Sequence, residues 1–241
     1  MAISFVAYDD AYTNSGTTVV TTVPTGAAAG DMLVLITAAT QGRSTTAGAP
    51  FAPGANIWQT IGAHIGGSTM IVAVRYRIME SGDTNWTYTL STTGAVRAVM
   101  LAYTDTAPDW SISGCTVTDD TSAATNFSDG TRVSDGVALN IGTAYRSSLL
   151  TGISIDNGTS RIESVNTQIG IAVRDSTTGG SFTSTTTGSA PLDHYTFALW
   201  MQSSATGEME DDVDLLAATP INDGYVYKGR DLATADNTGA A

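Results

Sequence analysis

The sequence predicts an all-β protein folded as an antiparallel sandwich, and three observations carry that expectation. From Thr69 to Ser91, side-chain character alternates with a period of two. Met70, Val72, Val74, Tyr76 and Ile78 stand against Arg75 and Arg77, and Trp86, Tyr88 and Leu90 stand against Asn85, Thr87, Thr89 and Ser91. Successive side chains of a strand point to opposite faces, so this reads as an antiparallel pair around the turn Ser81-Gly82-Asp83, one face dry and one wet. Val96 to Tyr103 is apolar at nearly every position, as in a strand covered on both sides. Thr, Ser, Gly and Ala abound while Lys occurs once, at Lys228, which favours strands and turns over amphipathic helices.

In chain order, Ser4 to Tyr8 and Thr17 to Val23 read as two short strands joined by a loop at Asn14-Ser15-Gly16. Pro24-Thr25-Gly26 and Gly30-Asp31 are turns ahead of Met32 to Ile36, an apolar run of the length of a buried strand. Residues 40–56 are rich in Gly, Pro, Ser and Thr and read as a long loop. Trp58 to Gly62 forms a brief strand before Gly66-Gly67.

After Tyr103 the pattern starts again. Asp135 to Ile141 echoes Gly30 to Ile36, Gln168 to Arg174 echoes Met70 to Arg75, and His194 to Met201 echoes Arg97 to Tyr103. The Ser/Thr/Gly run from Ser176 to Gly188 takes the place of the Trp86 strand. Neither half can cover its apolar face alone, so the two form one core. Residues 1–203 therefore read as a single jelly-roll-like β-sandwich of two pseudo-repeated halves, the pattern itself running from 3 to 203.

Residues 204–241 form an acidic C-terminal extension, with Glu208, Glu210, Asp211, Asp212, Asp214, Asp223, Asp231 and Asp236 against Lys228 and Arg230. Glu208 to Ala217 could make one or two helical turns, ended by Pro220. Leu215, Leu216, Tyr225 and Tyr227 dot this polar stretch with apolar groups, the pattern of an extended arm that orders on a neighbouring subunit.

Composition narrows the function classes. A formal charge of −13 opposes nucleic acid and anionic membrane as partners. Cys115 is the only cysteine, so no intrachain disulfide forms. The opening MAISFVAYDD lacks a basic leader and no apolar run approaches the ~18 residues of a membrane span, so the expectation is folding in a cytosol. No nucleophile elbow, zinc-protease run, phosphate loop or dinucleotide fingerprint occurs. His64 and His194 are the available neutral-pH bases, and each reads as a lone surface or strand-end histidine. The pairs Asp9-Asp10, Asp119-Asp120 and Asp211-Asp212 lack the spacing of a calcium loop and read as solvated charge. No catalytic residue, cofactor or metal is expected. Of the four tryptophans, Trp110, in the loop APDWSISG, is the best exposed platform for a sugar ring, with Tyr12 or Tyr145 beside it.

The run VPTGAAAGDMLVLITAA, then WQTIG, then TMIVAVRYRIMESGDTNWTYTLS with a closing AVMLAYTD, resembles the jelly-roll structural domain of tailed-bacteriophage virion proteins, seen in capsid decoration, tail and fibre components. The likeness spans residues 3–203 and lies in turns and strands, so it transfers no functional residues. It implies a virion structural protein and not an enzyme, assembled in the host cytoplasm. The role it points to is a capsid decoration (cement) protein, a homo-oligomer taken as a trimer, gripping the major capsid protein or other virion proteins. The alternatives are a tail, baseplate or fibre component contacting the host surface, and a carbohydrate-binding module on the same fold.

Overall fold

A computed structural model describes residues 3–40, 58–65, 70–105, 110–127, 136–146, 150–166, 168–178, 180–203, 219–221 and 224–226. Strands β1 (Ser4–Thr22), β2 (Met32–Thr40), β3 (Gln59–Ile65), β4 (Met70–Ile78) and β5 (Asn85–Thr104) form a first sheet in the spatial order β1-β5-β2-β4-β3. Next come β6 (Trp110–Asp120), β7 (Ala124–Phe127), β8 (Gly136–Tyr145), β9 (Leu150–Ile155), β10 (Thr159–Val165), β11 (Ile169–Ser176), β12 (Phe182–Gly188) and β13 (Asp193–Ser203). Of these, β6, β13, β8, β11 and β10 lie side by side in that order as a second sheet, while β7, β12 and β9 make a third. All pairings are antiparallel.

The predicted repeat is present in the topology. The order β1-β5-β2-β4-β3 becomes β6-β13-β8-β11-β10 when each strand is replaced by its counterpart in the second half. Register agrees: Leu35 of β2 lies between Arg75 of β4 and Met100 of β5, and Asn140 of β8 lies between Arg174 of β11 and Ala198 of β13. The Ser/Thr-rich β12 pairs with β7 as the start of β5 pairs with the end of β1.

Both halves contribute to one central core. Val34, Ile36, Val72, Val74, Val99 and Leu101 of the first sheet pack with Leu139, Ile141, Ile171, Val173, Phe197 and Leu199 of the second. Each sheet also buries its other face. On the outside of the first, Leu33, Leu35, Ala98 and Met100 lie under Val19, Trp86 and Tyr88, with Trp58 among them. On the outside of the second, Ala144, Ala172 and Ala198 lie under Phe127, Ile153 and Phe182 of the third sheet. This is an all-β antiparallel sandwich with curled flanks; its assignment to the jelly-roll class rests on the sequence resemblance.

Three expectations are corrected. Residues 4–22 form one strand, because the register slips at Gly16, opposite Gly94, and the paired glycines bend the two-strand ribbon without breaking it. The ribbon folds back far enough that the Thr22 amide donates to Asp9 Oδ2 at 2.7 Å, two groups of the same strand. Second, β4 and the Trp86 segment are not a hairpin. In the sheet β2 lies between β4 and β5, and Asn85 to Thr89 pairs with β1. Third, the face carrying Arg75 is not wet, since the curled ribbon covers it and leaves Arg75 7% exposed. Val96 and Ala98 to Tyr103 are buried on both faces, as their composition predicts.

Beyond β13 the described residues are two short strands, β14 (Thr219–Ile221) and β15 (Gly224–Val226), which pair with each other, and β15 lies beside β3. The predicted helical turns at 208–217, with Leu215 and Leu216, and also Tyr227, lie outside the described residues. Tyr225 falls within β15.

Candidate functional site

The three residues considered for a sugar platform are not brought together. Trp110 opens β6 and is not in a loop. It is half-buried against the central core, and its indole Nε1–H donates to the Gly30 carbonyl at 2.9 Å. Tyr145 is half-buried at the far end of the second sheet: Gly136 of β8 pairs with Gln202, next to the Ser203–Trp110 pair, whereas Tyr145 pairs with Asp193. The length of β8, ~30 Å at strand rise, separates them. Tyr12 is on β1, 57% exposed, at the Tyr145 end. Of the remaining tryptophans, Trp58, Trp86 and Trp200 are all core residues.

β1 is an edge strand of the first sheet, with no second strand beside it among the described residues. Tyr8, Asp10 and Tyr12 alternate onto one face of it, and Tyr8 and Tyr12 are exposed, at 45% and 57%. Asp10 between them is turned inward and spent on Arg97. From the centre of β5, where it is 1% exposed, Arg97 donates Nε to Asp10 Oδ1 at 2.9 Å and Nη2 to Asp10 Oδ2 at 2.5 Å. Its Nη1 donates to the carbonyls of Ser164 (2.6 Å) and Ile169 (3.1 Å), and Nη2 also meets Ser164 Oγ. One guanidinium thus ties β1 and β5 of the first sheet to β10 and β11 of the second. Planar donors in a fixed fork suit such a four-way joint, which a lysine could not make.

A second link lies along the same edge. Arg161 of β10 stacks over the ring of Phe5 of β1, 4.5 Å from its centroid, and donates Nε to Asp175 Oδ2 at 2.7 Å. Phe5 in turn meets Tyr103 edge-on at 5.5 Å. The Tyr103 hydroxyl is buried and has no hydrogen-bond partner among the described residues. Burial pushes its ionisation well above the usual tyrosine range, the neighbouring Asp175 carboxylate adds to this, and Arg161 works against it.

His194 is neither a surface residue nor a base in a cleft. It is fully buried at the start of β13, with Nδ1 on the Ser122 carbonyl at 3.0 Å and Nε2 on Ser184 Oγ at 2.8 Å. Because a carbonyl can only accept, Nδ1 carries a proton. The ring joins the second sheet to the third, and Gly142 makes room for its partner Ser184, since a Cβ there would overlap Ser184 Oγ. A Ser–His contact sealed this way has no access for a substrate and acts as a structural link. Nothing is described of the side chains of His64, Cys115, Asp119 and Asp120, and Asp211 and Asp212 lie outside the described residues. Asp9 accepts from Thr22 and Asp10 from Arg97, so this pair is engaged internally. Among the described residues, no group of three or more His, Cys, Asp or Glu could hold a metal ion.

Sequence reasoning missed the polar links. The available signal was a charged residue inside an apolar strand: Arg97 in AVRAVMLAY can be tolerated only where acceptors converge on it. No family model, curated protein or solved structure matches this chain.

Proposed function

We propose that this protein is a structural component of a bacteriophage virion, a decoration protein that grips the major capsid protein as a homo-oligomer. The observation that carries the reading is the division of labour in β1. Its acids are consumed within the molecule, while Tyr8 and Tyr12 stand exposed on an edge strand of the first sheet. Tyrosines supply contact area at low entropic cost, and an unpaired edge offers backbone donors and acceptors to a neighbouring chain. The phage-domain resemblance supports the same reading. So does the interior: described buried polar groups such as Arg97 and His194 act as ties between sheets, which suits a body made to withstand load. The test is cryo-electron microscopy of intact particles with copy number by quantitative mass spectrometry. A decoration protein is present in copies that scale with the capsid lattice; a few copies at one vertex would favour the tail or baseplate reading, and absence from the particle would end both. Tyr8→Ser with Tyr12→Ser should abolish capsid binding while leaving the unfolding midpoint within error.

A further inference from the structure

The layer between the second and third sheets holds two hydroxyls whose hydrogen bonds are unaccounted for. Thr125 of β7 and Thr196 of β13 are fully buried, and the Oγ1 of each has no partner among the described residues. Other polar groups in the same layer are matched. His194 meets the Ser122 carbonyl and Ser184 Oγ, and Thr186 Oγ1 donates to the Ala123 carbonyl at 3.1 Å. A buried hydroxyl left unbonded forfeits the hydrogen bonds it made to water in the unfolded chain, so a pair of them calls for a partner.

The strand pairing brings the two together. β7 lies against β13, and β12 lies against β8. At one end of the first contact, His194 bonds to the Ser122 carbonyl just ahead of β7; at the other, Ala198 packs in the cluster that contains Phe127. Thr196 falls between His194 and Ala198 on the same face of β13, and Thr125 falls between Ser122 and Phe127, turned inward as Phe127 is. The neighbouring strands give the same register independently. Ser184 Oγ occupies the place of a Cβ on Gly142, and Ser184 pairs with Thr125 as Gly142 pairs with Thr196. One step sideways in both sheets sets Thr125 over Thr196.

Two hydroxyls that face each other without bonding to each other are suited to a bridging water. A buried water makes about three hydrogen bonds, and this place supplies a third partner. With its proton on Nδ1, the His194 ring accepts at Nε2 from the Ser184 hydroxyl, so Ser184 Oγ keeps its lone pairs for another donor. Directly opposed residues on paired strands lie ~5 Å apart at Cβ, which puts Ser184 Oγ within one water of Thr125. We propose that a structural water sits between the second and third sheets, accepting from the hydroxyls of Thr125 and Thr196 and donating to Ser184 Oγ. It completes a polar chain that runs from the Ser122 carbonyl through His194 and Ser184 to both threonines. The third sheet is then held to the second by hydrogen bonds as well as by Phe127, Ile153 and Phe182.

The test is urea unfolding of the full chain carrying Thr125→Val, Thr196→Val or both, since valine has the shape of threonine without its hydroxyl. Were the two hydroxyls simply unbonded, each valine would raise stability. With the water in place, each single substitution should lower the folding equilibrium constant roughly fivefold, because it leaves the water short of a partner beside a hydroxyl that depends on it. The double variant strands neither threonine hydroxyl and should be no less stable than either single variant. A rise in stability from either single substitution, or losses that add in the double variant, would overturn the proposal. Should a valine variant fail to fold, a crystal structure of the wild-type chain decides. Electron density for one water within hydrogen-bond distance of Thr125 Oγ1, Thr196 Oγ1 and Ser184 Oγ is expected. A dry layer, or a direct bond between the two threonines, would overturn it.

Discussion

Replacing Arg97 with Met probes the joint on which the two sheets depend. The substitution keeps an apolar stem of similar reach but removes all five hydrogen bonds that the guanidinium makes. The Ser164 and Ile169 carbonyls lose a donor at the sheet interface, and the Asp10 carboxylate loses its cation. Breaking a buried pair by deleting one partner costs about 3–5 kcal/mol. The Asp10 side chain is 22% exposed, so water recovers part of its solvation and the lower end applies, about 3 kcal/mol. That is a large share of the ~5–15 kcal/mol that holds a domain together. Asp10→Ala should cost at least as much, because it strands a guanidinium that is 1% exposed. The two losses should not add: the double variant leaves neither charge uncompensated and should recover about 2 kcal/mol of their sum. Urea unfolding followed by tryptophan fluorescence reads this directly, with a drop in midpoint of about 1 M and an unchanged slope for Arg97→Met. A loss below about 0.5 kcal/mol, or strict additivity in the double variant, would refute the reasoning.

Other consequences follow from the same contacts. Tyr103→Phe removes a buried hydroxyl that has no partner among the described residues and should raise stability by up to about 1 kcal/mol at neutral pH, read from the same urea midpoint. Because the Tyr103 pKa is raised in the folded state, its contribution is fully present below the unfolded value near 10 and is lost as pH rises above it. Wild-type protein should therefore weaken above about pH 10 with phenolate absorbance appearing on unfolding, and Tyr103→Phe should weaken less. Gly142→Ala places a methyl group on Ser184 and should cost about 1–3 kcal/mol, with faster amide exchange in β12. Ser184→Ala removes the bond to His194 Nε2 and should cost about 1 kcal/mol by urea unfolding.

The fold was legible where burial sets the pattern. Val96 to Tyr103 announced a strand covered on both faces, and the echoes at Asp135, Gln168 and His194 marked the counterparts of β2, β4 and β5. Pairing was less legible, because alternation says which face a residue takes and nothing about which strand lies beside it. A turn at Ser81-Gly82-Asp83 therefore looked like a hairpin although β2 occupies the place between β4 and β5. Arg75 read as solvent-facing since nothing local reveals that a ribbon 85–89 curls over it. The buried links were hidden for a related reason: Arg97 meets Asp10, Ser164 and Ile169, and His194 meets Ser122 and Ser184, across separations that only the closed sandwich makes short. Exposure of Tyr12 on an edge strand follows from sheet order and could not be read from its neighbours in sequence.

Hydrogen exchange against increasing urea tests most directly whether two half-barrels share a single interior. Amides of β2 and of β8 should lose protection at the same urea concentration, and Arg97→Met should move both by the same amount. Separate transitions, with one half still protected after the other has opened, would contradict it.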